Sequence, residues 1–401
     1  MNAVTTYRSL FAIREFRVLF VARLFTMVGV VVGALALGTV MYDATDSTVL
    51  TALSMFGGPL VSLVTSHFLL ASSDLLRPRT ALVVTGAAAA GDDLLQLIPH
   101  LPWGVRFALL AMEYVITSAT SGTVMSLLAD IVPAESFVLA RATMNLTVGG
   151  IQVLGNALGA VLLLAFAPVH LFAVSAAAAV FAAVIARLGV ADHPPRATGP
   201  VVARTRTVNK ALLGSRVVRP VLLMGWIPNG LIVGCEALYI PYARQHAGYL
   251  FASTAAGMLA GDVVVGRFVP EAVRQRLVVP LRLLLAVPFL VMFAHPPVVL
   301  AALAGGIGAF GYTASLPLQS RLVQHVRADS RGQAFGLLSA GLMVGQSLGA
   351  LAAGVLGQLG APGPAMGTVA ALSIVATTLL VRPLRRSAPR PDTTRHQATP
   401  V

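Results

Sequence analysis

Long apolar runs separated by short polar connections extend along almost the whole chain. Each run is about as long as the ~20 residues with which an α-helix crosses a bilayer. Because lipid offers no partner to unpaired backbone groups, each run is predicted to be a transmembrane helix. The twelve predicted spans lie at about 18–42, 48–72, 79–98, 103–130, 138–166, 168–190, 218–240, 246–267, 277–294, 297–322, 332–358 and 361–382.

The composition supports an all-α membrane protein. Of the 401 residues, 57% are hydrophobic and 11% are charged, whereas a typical soluble domain has about 25% charged residues. The single cysteine, Cys235, excludes a disulfide framework and a thiolate metal cluster. It lies in an apolar run, which favours a small core residue. We therefore expect neither a metal nor an organic cofactor.

The basic residues predict the orientation of the chain in the membrane. Of the 28 lysines and arginines, only Arg106 and Arg244 fall in the loops of one side. Cytoplasmic loops carry an excess of such residues, so both termini are predicted to be cytoplasmic in an inner (plasma) membrane. This count places Arg282 in a cytoplasmic loop. Because the basic residues are scattered between apolar runs, we expect the lipid bilayer, and not nucleic acid, as the partner.

A Pro-containing basic stretch divides the spans into two sets of six. The predicted parts are listed in chain order. They are a cytosolic amphipathic lead-in (1–17), an N-terminal six-helix bundle (18–190), a cytosolic linker (191–216), a C-terminal six-helix bundle (217–382) and a disordered cytosolic tail (383–401).

The two sets of spans contain similar strings. The fifth run has glycines at Gly155 and Gly159, and the eleventh has them at Gly341, Gly345 and Gly349. One common numbering offset relates the string GNALGA to GQSLGA, which indicates two copies of a six-helix unit. Repeats of this kind build secondary transporters with a substrate site between the halves. Glycines four residues apart also let two helices pack closely, and such smooth faces suit bundles that rock past each other.

Several local strings resemble one family. Residues 15–24 (EFRVLFVARL), 70–79 (LASSDLLRPR), 130–133 (DIVP) and 155–160 (GNALGA) are similar to segments of the major facilitator superfamily. The first string resembles the macrolide-efflux and enterobactin-exporter branch. The resemblance covers about residues 7–382 and implies two pseudo-symmetric six-helix bundles that move substrate by alternating access.

The resemblance also implies roles for particular residues. Asp74 with Arg77 and Arg79 stands where the family has its loop motif G-x-L-A-D-R-x-G-R-R, which implies a cytosolic charge latch. A solvated ion pair at a helix end is the alternative. The motif is degenerate, and the antiporter motif G-P-x-x-G-G of the fifth helix is also altered, with Asn156 for proline and Ala160 for the last glycine.

Acidic residues inside apolar runs are functional candidates because burying a charge in lipid is costly. Glu113 is the strongest of them, since it lies about ten residues into the fourth run and so ~15 Å deep at 1.5 Å per residue. It is a candidate for carrying a coupling proton. The alternative is a structural carboxyl bonded to Thr117, Ser118 or a neighbouring helix.

Asp92 and Asp93 are the next candidates for handling protons. They are adjacent, so their side chains diverge by about 100° around a helix. One of them is expected to form an ion pair with Arg106 near the outer end of the following span. That structural pairing is the alternative to a role in proton coupling.

Other charged candidates lie closer to the membrane surfaces. Glu236 follows a helix-breaking Pro-Asn-Gly string and either lines the outer mouth of a cavity or extends to outer water. Asp262 is predicted to pair with Arg267 or to act in gating. Arg23 is predicted to extend to the cytosolic interface or to act in a latch.

Aromatic and polar residues in the spans are candidates for lining a substrate cavity, although packing is the commoner role of such residues. These cavity candidates are Tyr114, Trp226, Asn229, Glu236, Tyr239, Phe310 and Tyr312.

We conclude that the chain is a transporter and not an enzyme. The expected activity is proton-coupled efflux of lipophilic or cationic small molecules by a monomer that uses a proton gradient as its energy source. An importer or facilitator of a small metabolite is the alternative within transport. A membrane receptor or an intramembrane enzyme is the alternative of another class, but the sequence contains no paired catalytic constellation and no nucleotide-binding loop.

Overall fold

The computed structural model describes residues 7–69, 77–133, 140, 143–144, 161–162, 165–194, 200–327 and 330–385. The regular elements within these residues are helical. In the first half the helices are α1 (Tyr7–Ala12), α2 (Arg14–Thr45), α3 (Thr48–Phe56), α4 (Gly58–Leu69), α5 (Pro78–Gln96), α6 (Trp103–Ile131) and α7 (Leu171–Gly189).

The second half begins with a helix in the predicted linker. Its helices are α8 (Pro200–Gly214), α9 (Val218–Ala237), α10 (Tyr239–Ala243), α11 (Ala247–Val263), α12 (Glu271–Arg276), α13 (Val278–Ala286), α14 (Val298–Phe310), α15 (Ser315–His325), α16 (Arg331–Leu359) and α17 (Pro362–Arg385). A π-helical turn (Val264–Phe268) follows α11, and 3-10 turns follow α13 (Val287–Ala294) and α14 (Gly311–Ala314).

Contacts at the helix ends define two faces of the bundle. Glu15, at the start of α2, accepts a hydrogen bond from the backbone N–H of Ala191 (2.7 Å) and lies 3.2 Å from Nε2 of His193. The start of α2 and the end of α7 therefore share one face, which we call the terminal face. The opposite, distal face carries Asp46 and Arg244, which form an ion pair of 2.5 Å between Oδ1 and Nη2.

The helices cross between these two faces in alternation. The described crossings are α2, α3 with α4, α5, α6, α7, α9 with α10, α11, α13 with its 3-10 turn, α14 with α15, α16 and α17. They coincide with eleven of the twelve predicted spans, whereas most of the span at 138–166 lies outside the described residues. Within the described residues, six helical stretches are each long and apolar enough to cross a membrane by length and composition. The chain is thus a multi-pass membrane protein.

The two halves repeat one packing arrangement, as predicted for a duplicated unit. In the first half α2 and α5 both pack on α7, and α4 packs on α6. In the second half α9 and the 3-10 turn after α13 both pack on α17, and α11 packs on α14. In each half, therefore, the first and third spans contact the sixth, and the second contacts the fourth.

The halves are joined at the distal face. The Tyr42 hydroxyl donates to the backbone O of Pro241 (3.5 Å), and the Arg244 guanidinium lies 5.0 Å from the Tyr42 ring centroid. The Thr48 hydroxyl donates to the backbone O of Gly354 (2.6 Å). The backbone N–H of Thr48 donates to Oε1 of Gln358 (3.0 Å). These contacts close the distal face between the two bundles.

The structure corrects the predicted position of one basic residue, Arg282. Arg282 was expected in a cytoplasmic loop, but it lies inside α13 with only 1% of its surface exposed. The expectation was wrong because a lone arginine in a short apolar run is interpreted as a loop residue, although neighbouring helices can enclose it. Cys235 is fully buried as predicted, and its thiol lies 3.4 Å from the backbone O of Met366.

Candidate functional site

The first half encloses a small cavity of ≈ 40 Å³ between α2, α3, α5, α6 and α7. Three carboxyl groups predicted as proton-handling candidates line it, namely those of Asp92, Asp93 and Glu113. We call this the acidic cavity. The sequence placed these residues on two different spans, and the fold brings them together.

Asp92 and Glu113 face each other across the acidic cavity, within hydrogen-bonding reach. Asp92 is 9% exposed, and Glu113 is partly exposed to the cavity. Two carboxyl groups this close repel strongly when both are ionised, so the pair is most stable when it shares a proton. Asp92 lies on α5, so this arrangement matches the part of the predicted alternative in which Glu113 bonds to a neighbouring helix.

Asp93 points to the other side of the acidic cavity, toward the Ser175 hydroxyl. That hydroxyl donates its single proton to the backbone O of Gly29 (2.9 Å). Gly33 forms the wall beside them, since a Cβ at this position would lie 3.2 Å from Oδ1 of Asp93. The sequence analysis missed Ser175 and Gly33, although a lone serine in an alanine-rich helix is a weak signal of a buried partner.

The expected ion pair between an aspartate and Arg106 is absent. The Arg106 guanidinium instead donates through Nη1 to Oε1 and to the backbone O of Gln96 (both 2.9 Å), and through Nε to the backbone O of Leu101 (3.3 Å). Arg106 thus caps the end of α5, where backbone carbonyls lack helical partners. Among the residues that the structure describes, no lysine or arginine forms an ion pair with the carboxyls of the acidic cavity.

Tyr114 is the one predicted cavity residue that lines the acidic cavity. Its ring occupies the space where residue 58 has no side chain, because a Cβ on Gly58 would lie 1.8 Å from Cζ of Tyr114. Gly58 begins α4 just after the helical break at Gly57. The break between α3 and α4 therefore admits this aromatic ring to the core of the first half.

The other cavity candidates lie in the second half, where Glu236, Tyr239 and Tyr312 lie near one another. The Tyr312 hydroxyl donates to Oε1 of Glu236 (2.7 Å), and the Tyr239 hydroxyl lies 2.9 Å from Oγ1 of Thr254. Phe310 lines an apolar groove between α11 and α14.

Asn229 and Trp226 contact α16. The Gln346 side-chain amide donates to Oδ1 of Asn229 (3.1 Å), and Nε1 of Trp226 donates to the backbone O of Leu338 (2.8 Å). Both candidates therefore take part in the packing of α9 on α16.

The candidate latch residues have partners that the sequence did not reveal. Arg77 forms an ion pair with Asp192, and Nη2 of Arg79 lies 3.9 Å from Oδ1 of the same residue. Asp74 lies outside the described residues. The missed acidic partner, Asp192, stands at the start of the predicted linker, where its charge looked like a solvated loop residue.

Two further charged candidates lie elsewhere in the fold. Asp262 faces the Thr313 hydroxyl, and no ion pair to Arg267 is present within the described part of the chain. Arg23 lies partly exposed on α2. Neither residue belongs to the acidic cavity.

The glycines of α16 pack against α9. A Cβ on Gly341 would lie 2.2 Å from the Trp226 ring, and one on Gly349 would lie 1.9 Å from the backbone O of Gly230. Gly345 lies against the backbone of Trp226, because a Cβ on Gly345 would lie 3.1 Å from the backbone O of Trp226. Gly155 and Gly159 lie outside the described residues.

Comparison with known proteins identifies the fold. The sequence profile of the Major Facilitator Superfamily matches residues 239–400. No curated protein was found to match the sequence.

Solved structures match nearly the whole chain at low sequence identity. A POT family transporter in complex with 5-aminolevulinic acid has a TM-score of 0.69 at 12% identity, over 94% of this chain and 97% of that chain. The nucleoside transporter NupG has 0.64 at 11%, over 92% and 99%. A bacterial homologue of the human lysosomal transporter Spinster, in an inward-facing and occupied conformation, has 0.59 at 14%, over 95% of each chain.

The chain therefore has the predicted major facilitator fold of two six-helix bundles. The profile match and the solved neighbours are those of transporters and not of enzymes. They do not test the resemblance to the macrolide-efflux and enterobactin-exporter branch.

Proposed function

We propose that this chain is a secondary active transporter that works by alternating access and is driven by protons. The observation that carries the proposal is the acidic cavity, where Asp92, Asp93 and Glu113 meet inside one half of a transporter fold. Carboxyls that face each other, without an ion pair to a lysine or arginine of the described residues, bind a proton readily. An intramembrane site of this kind can take up a proton in one conformation and release it in another.

The acidic cavity is too small to bind the substrate, so the proton and the substrate bind at different sites. A water molecule occupies ~10–15 Å³ of such a volume, so ≈ 40 Å³ holds about three or four waters and no organic molecule. The substrate therefore binds elsewhere, between the two bundles, as in other transporters built from repeats.

The proposed activity is efflux of lipophilic or cationic small molecules by a monomer. The apolar walls of the second half, including the groove at Phe310, support this substrate class. The assignment to the macrolide-efflux and enterobactin-exporter branch belongs to the same proposal. With the basic terminal face in the cytoplasm of an inner membrane, the closed distal face is the side of the protein that lies away from the cytoplasm.

Import of a small metabolite is the second candidate. It is favoured by the solved neighbours, which are described as peptide and nucleoside transporters. The direction of the proton gradient distinguishes the two candidates. Efflux by antiport moves substrate toward the acidic side of a membrane, and import by symport moves it away from that side.

The test is transport into proteoliposomes that contain the purified chain. A panel of fluorescent organic cations, a labelled dipeptide and a labelled nucleoside is offered with the interior acidic and then with the exterior acidic. We expect a cation to accumulate only when the interior is acidic. In Glu113→Gln this accumulation falls to the level of protein-free vesicles, while exchange of substrate without a gradient is kept, because glutamine preserves the size of the side chain.

The matched control is Glu271→Gln, which removes a carboxyl from α12 on the terminal face. This variant is expected to accumulate substrate like the unaltered chain. Gradient-driven accumulation that survives in Glu113→Gln contradicts the role of the acidic cavity. Accumulation of the dipeptide or nucleoside with an acidic exterior supports the import candidate instead.

A further inference from the structure

Exposed basic residues gather on the terminal face of the second half. The two stretches that carry them, at positions 193–235 and 330–391, contain no aspartate or glutamate. Within the described part of these stretches, five basic residues are exposed and form no ion pair with another described residue. These residues, which we call the basic patch, are Lys210, Arg216, Arg219, Arg382 and Arg385.

One buried apolar cluster holds the segments of the basic patch together. Leu212 of α8, Val218 of α9 and Leu384 of α17 belong to this cluster, and each is at most 7% exposed. Every residue of the basic patch stands one or two positions away from one of these three residues. The five positive charges therefore lie around one end of the second half.

The helix within the predicted linker is fixed to the second half by hydrogen bonds as well. The Gln333 side-chain amide of α16 donates to Oδ1 of Asn209 in α8 (2.8 Å). In the turn between α8 and α9, the Ser215 hydroxyl accepts hydrogen bonds from the backbone N–H groups of Val217 (3.3 Å) and Val218 (3.2 Å). The basic residues of α8 and of this turn are thus held in place before any ligand binds, which lowers the entropy cost of binding.

Exposed apolar side chains next to the basic patch favour a bilayer surface over a soluble partner. Leu213, about one helical turn from Lys210, is 38% exposed, and Leu379 of α17 is 71% exposed. Because α17 is long and apolar enough to cross a membrane, Arg382 and Arg385 stand at the end of a span. Basic residues beside exposed leucines are typical of helices at the boundary between lipid and water.

The acidic residues of the described second half do not neutralise the basic patch. Glu271 forms an ion pair within α12. Glu236 is 5% exposed inside the second half, and Asp262 on α11 faces the Thr313 hydroxyl. The basic patch therefore keeps its charge for a negative partner outside the chain.

We infer that the basic patch is a binding surface for the headgroups of anionic phospholipids in the leaflet at the terminal face. Phosphate oxygens accept charge-assisted hydrogen bonds from guanidinium and ammonium groups. An anionic leaflet also attracts basic residues that lie within a Debye length of its surface. Binding at this surface anchors α8 and the start of α9 to the bilayer. The inference does not depend on the proposed transport activity.

The test measures which lipids lie against the basic patch of the full-length chain in liposomes. A fluorophore is attached at Ala211→Cys, an exposed position of α8, while the native Cys235 is fully buried and serves as the unlabelled background. Lipids that carry a quencher are added in increasing amounts, with phosphatidylglycerol as the anionic probe and phosphatidylcholine as the neutral probe. We expect phosphatidylglycerol to quench the fluorophore at a several-fold lower mole fraction than phosphatidylcholine.

Removal of the charges is expected to abolish this preference. For the triple variant, the mole fraction of phosphatidylglycerol at half-quenching is expected to rise by up to about fivefold for each charge removed. This variant carries Lys210→Gln, Arg216→Gln and Arg219→Gln. A charge-preserving variant with Lys210→Arg, Arg216→Lys and Arg219→Lys is expected to keep the preference. Tm is expected to stay unchanged in both variants, which separates a loss of lipid binding from a loss of folding.

The matched control removes three exposed arginines from other elements of the terminal face, by Arg187→Gln, Arg267→Gln and Arg276→Gln. The change in net charge is the same, and quenching at α8 is expected to stay that of the unaltered chain. Equal quenching by the two lipids in the unaltered chain, or an equal loss of preference in the control, overturns the inference.

A soluble acidic polymer tests the other kind of partner. If poly-glutamate changes the emission of the fluorophore while phosphatidylglycerol has no advantage over phosphatidylcholine, the basic patch binds an acidic protein and the inference is wrong. A chain that moves no substrate of the panel but keeps the lipid preference contradicts the proposed function and supports the lipid surface.

Discussion

Tyr114 reaches the acidic cavity because residue 58 has no side chain. The same dependence on small residues occurs at Gly33, which faces Ser175 and Asp93. A core packed this closely tolerates added atoms poorly. Single glycines in the first half therefore determine whether the carboxyls and the tyrosine can occupy one space.

Gly58→Ala is expected to destabilise the protein and to displace Tyr114 from the acidic cavity. The new Cβ would lie 1.8 Å from Cζ of Tyr114, so the ring must move. Overpacking of this kind costs about 1–3 kcal/mol. Thermal unfolding of the purified variants measures the loss, and Gly104→Ala is the control because no atom lies within 4 Å of a Cβ there. Equal stability of the two variants contradicts this packing.

The sequence predicted the residue types of the site better than their partners. Depth within a span was enough to select Asp92, Asp93 and Glu113, because charges in apolar runs are conspicuous. The partner of Arg106 was predicted wrongly, since opposite charges were expected to pair where backbone carbonyls at a helix end bind the guanidinium instead. Ser175 was missed because its only signal is position on a helix whose neighbours were unknown.

At the scale of the elements, short segments of the terminal face are fixed by polar contacts. Oε1 of Glu271, in α12, accepts hydrogen bonds from the Gln275 side-chain amide (2.5 Å) and the Ser320 hydroxyl (2.8 Å). Arg274 lies 3.2 Å from its other oxygen. These contacts attach α12 to α15.

The contacts of Glu271 predict a pH dependence of stability. Burial raises the pKa of this carboxyl, but the hydrogen bonds from Gln275 and Ser320 and the charge of Arg274 together lower the pKa below 4.5. A carboxyl with a lowered pKa stabilises the fold above its unfolded pKa and loses that contribution as the pH falls through its folded pKa. Tm of the unaltered chain is thus expected to exceed that of Glu271→Gln at neutral pH, and the difference to vanish in acid. A pH-independent difference contradicts the assignment.

Helix positions were predictable from the sequence, whereas helix irregularities were not. Apolar runs located the crossings because bilayer thickness sets their length. The break at Gly57, the π-helical turn Val264–Phe268 and the 3-10 turn Val287–Ala294 left no trace in the apolar pattern. They depend on local packing, as at Gly58 and Tyr114, and not on hydrophobicity.

At the scale of the whole molecule, the halves meet through strained residues at the distal face. Asp46 and Arg244 have φ angles of 48° and 42°, which L-residues rarely adopt. Their side chains form the ion pair that joins the halves, so this contact helps to hold both backbones in place. The pairing could not be predicted from sequence, because the two residues are 198 positions apart and each lies in a short exposed loop.

We propose that the two halves open and close the distal face, with the Asp46–Arg244 pair favouring the closed state. Electron-spin distance measurements between labels at Gly104→Cys and His295→Cys, exposed positions of the two halves, test it most directly. Cys235 is fully buried, so labelling of the chain without introduced cysteines serves as the background.

We predict a short distance in the unaltered chain and an added longer distance in Arg244→Ala, because loss of the ion pair and of the contact with Tyr42 releases the distal face. Arg276→Ala, an exposed arginine of the terminal face, is expected to leave the distances unchanged. The same single distance in the unaltered chain, in Arg244→Ala and in Asp46→Asn, with and without a transported substrate, would contradict the account.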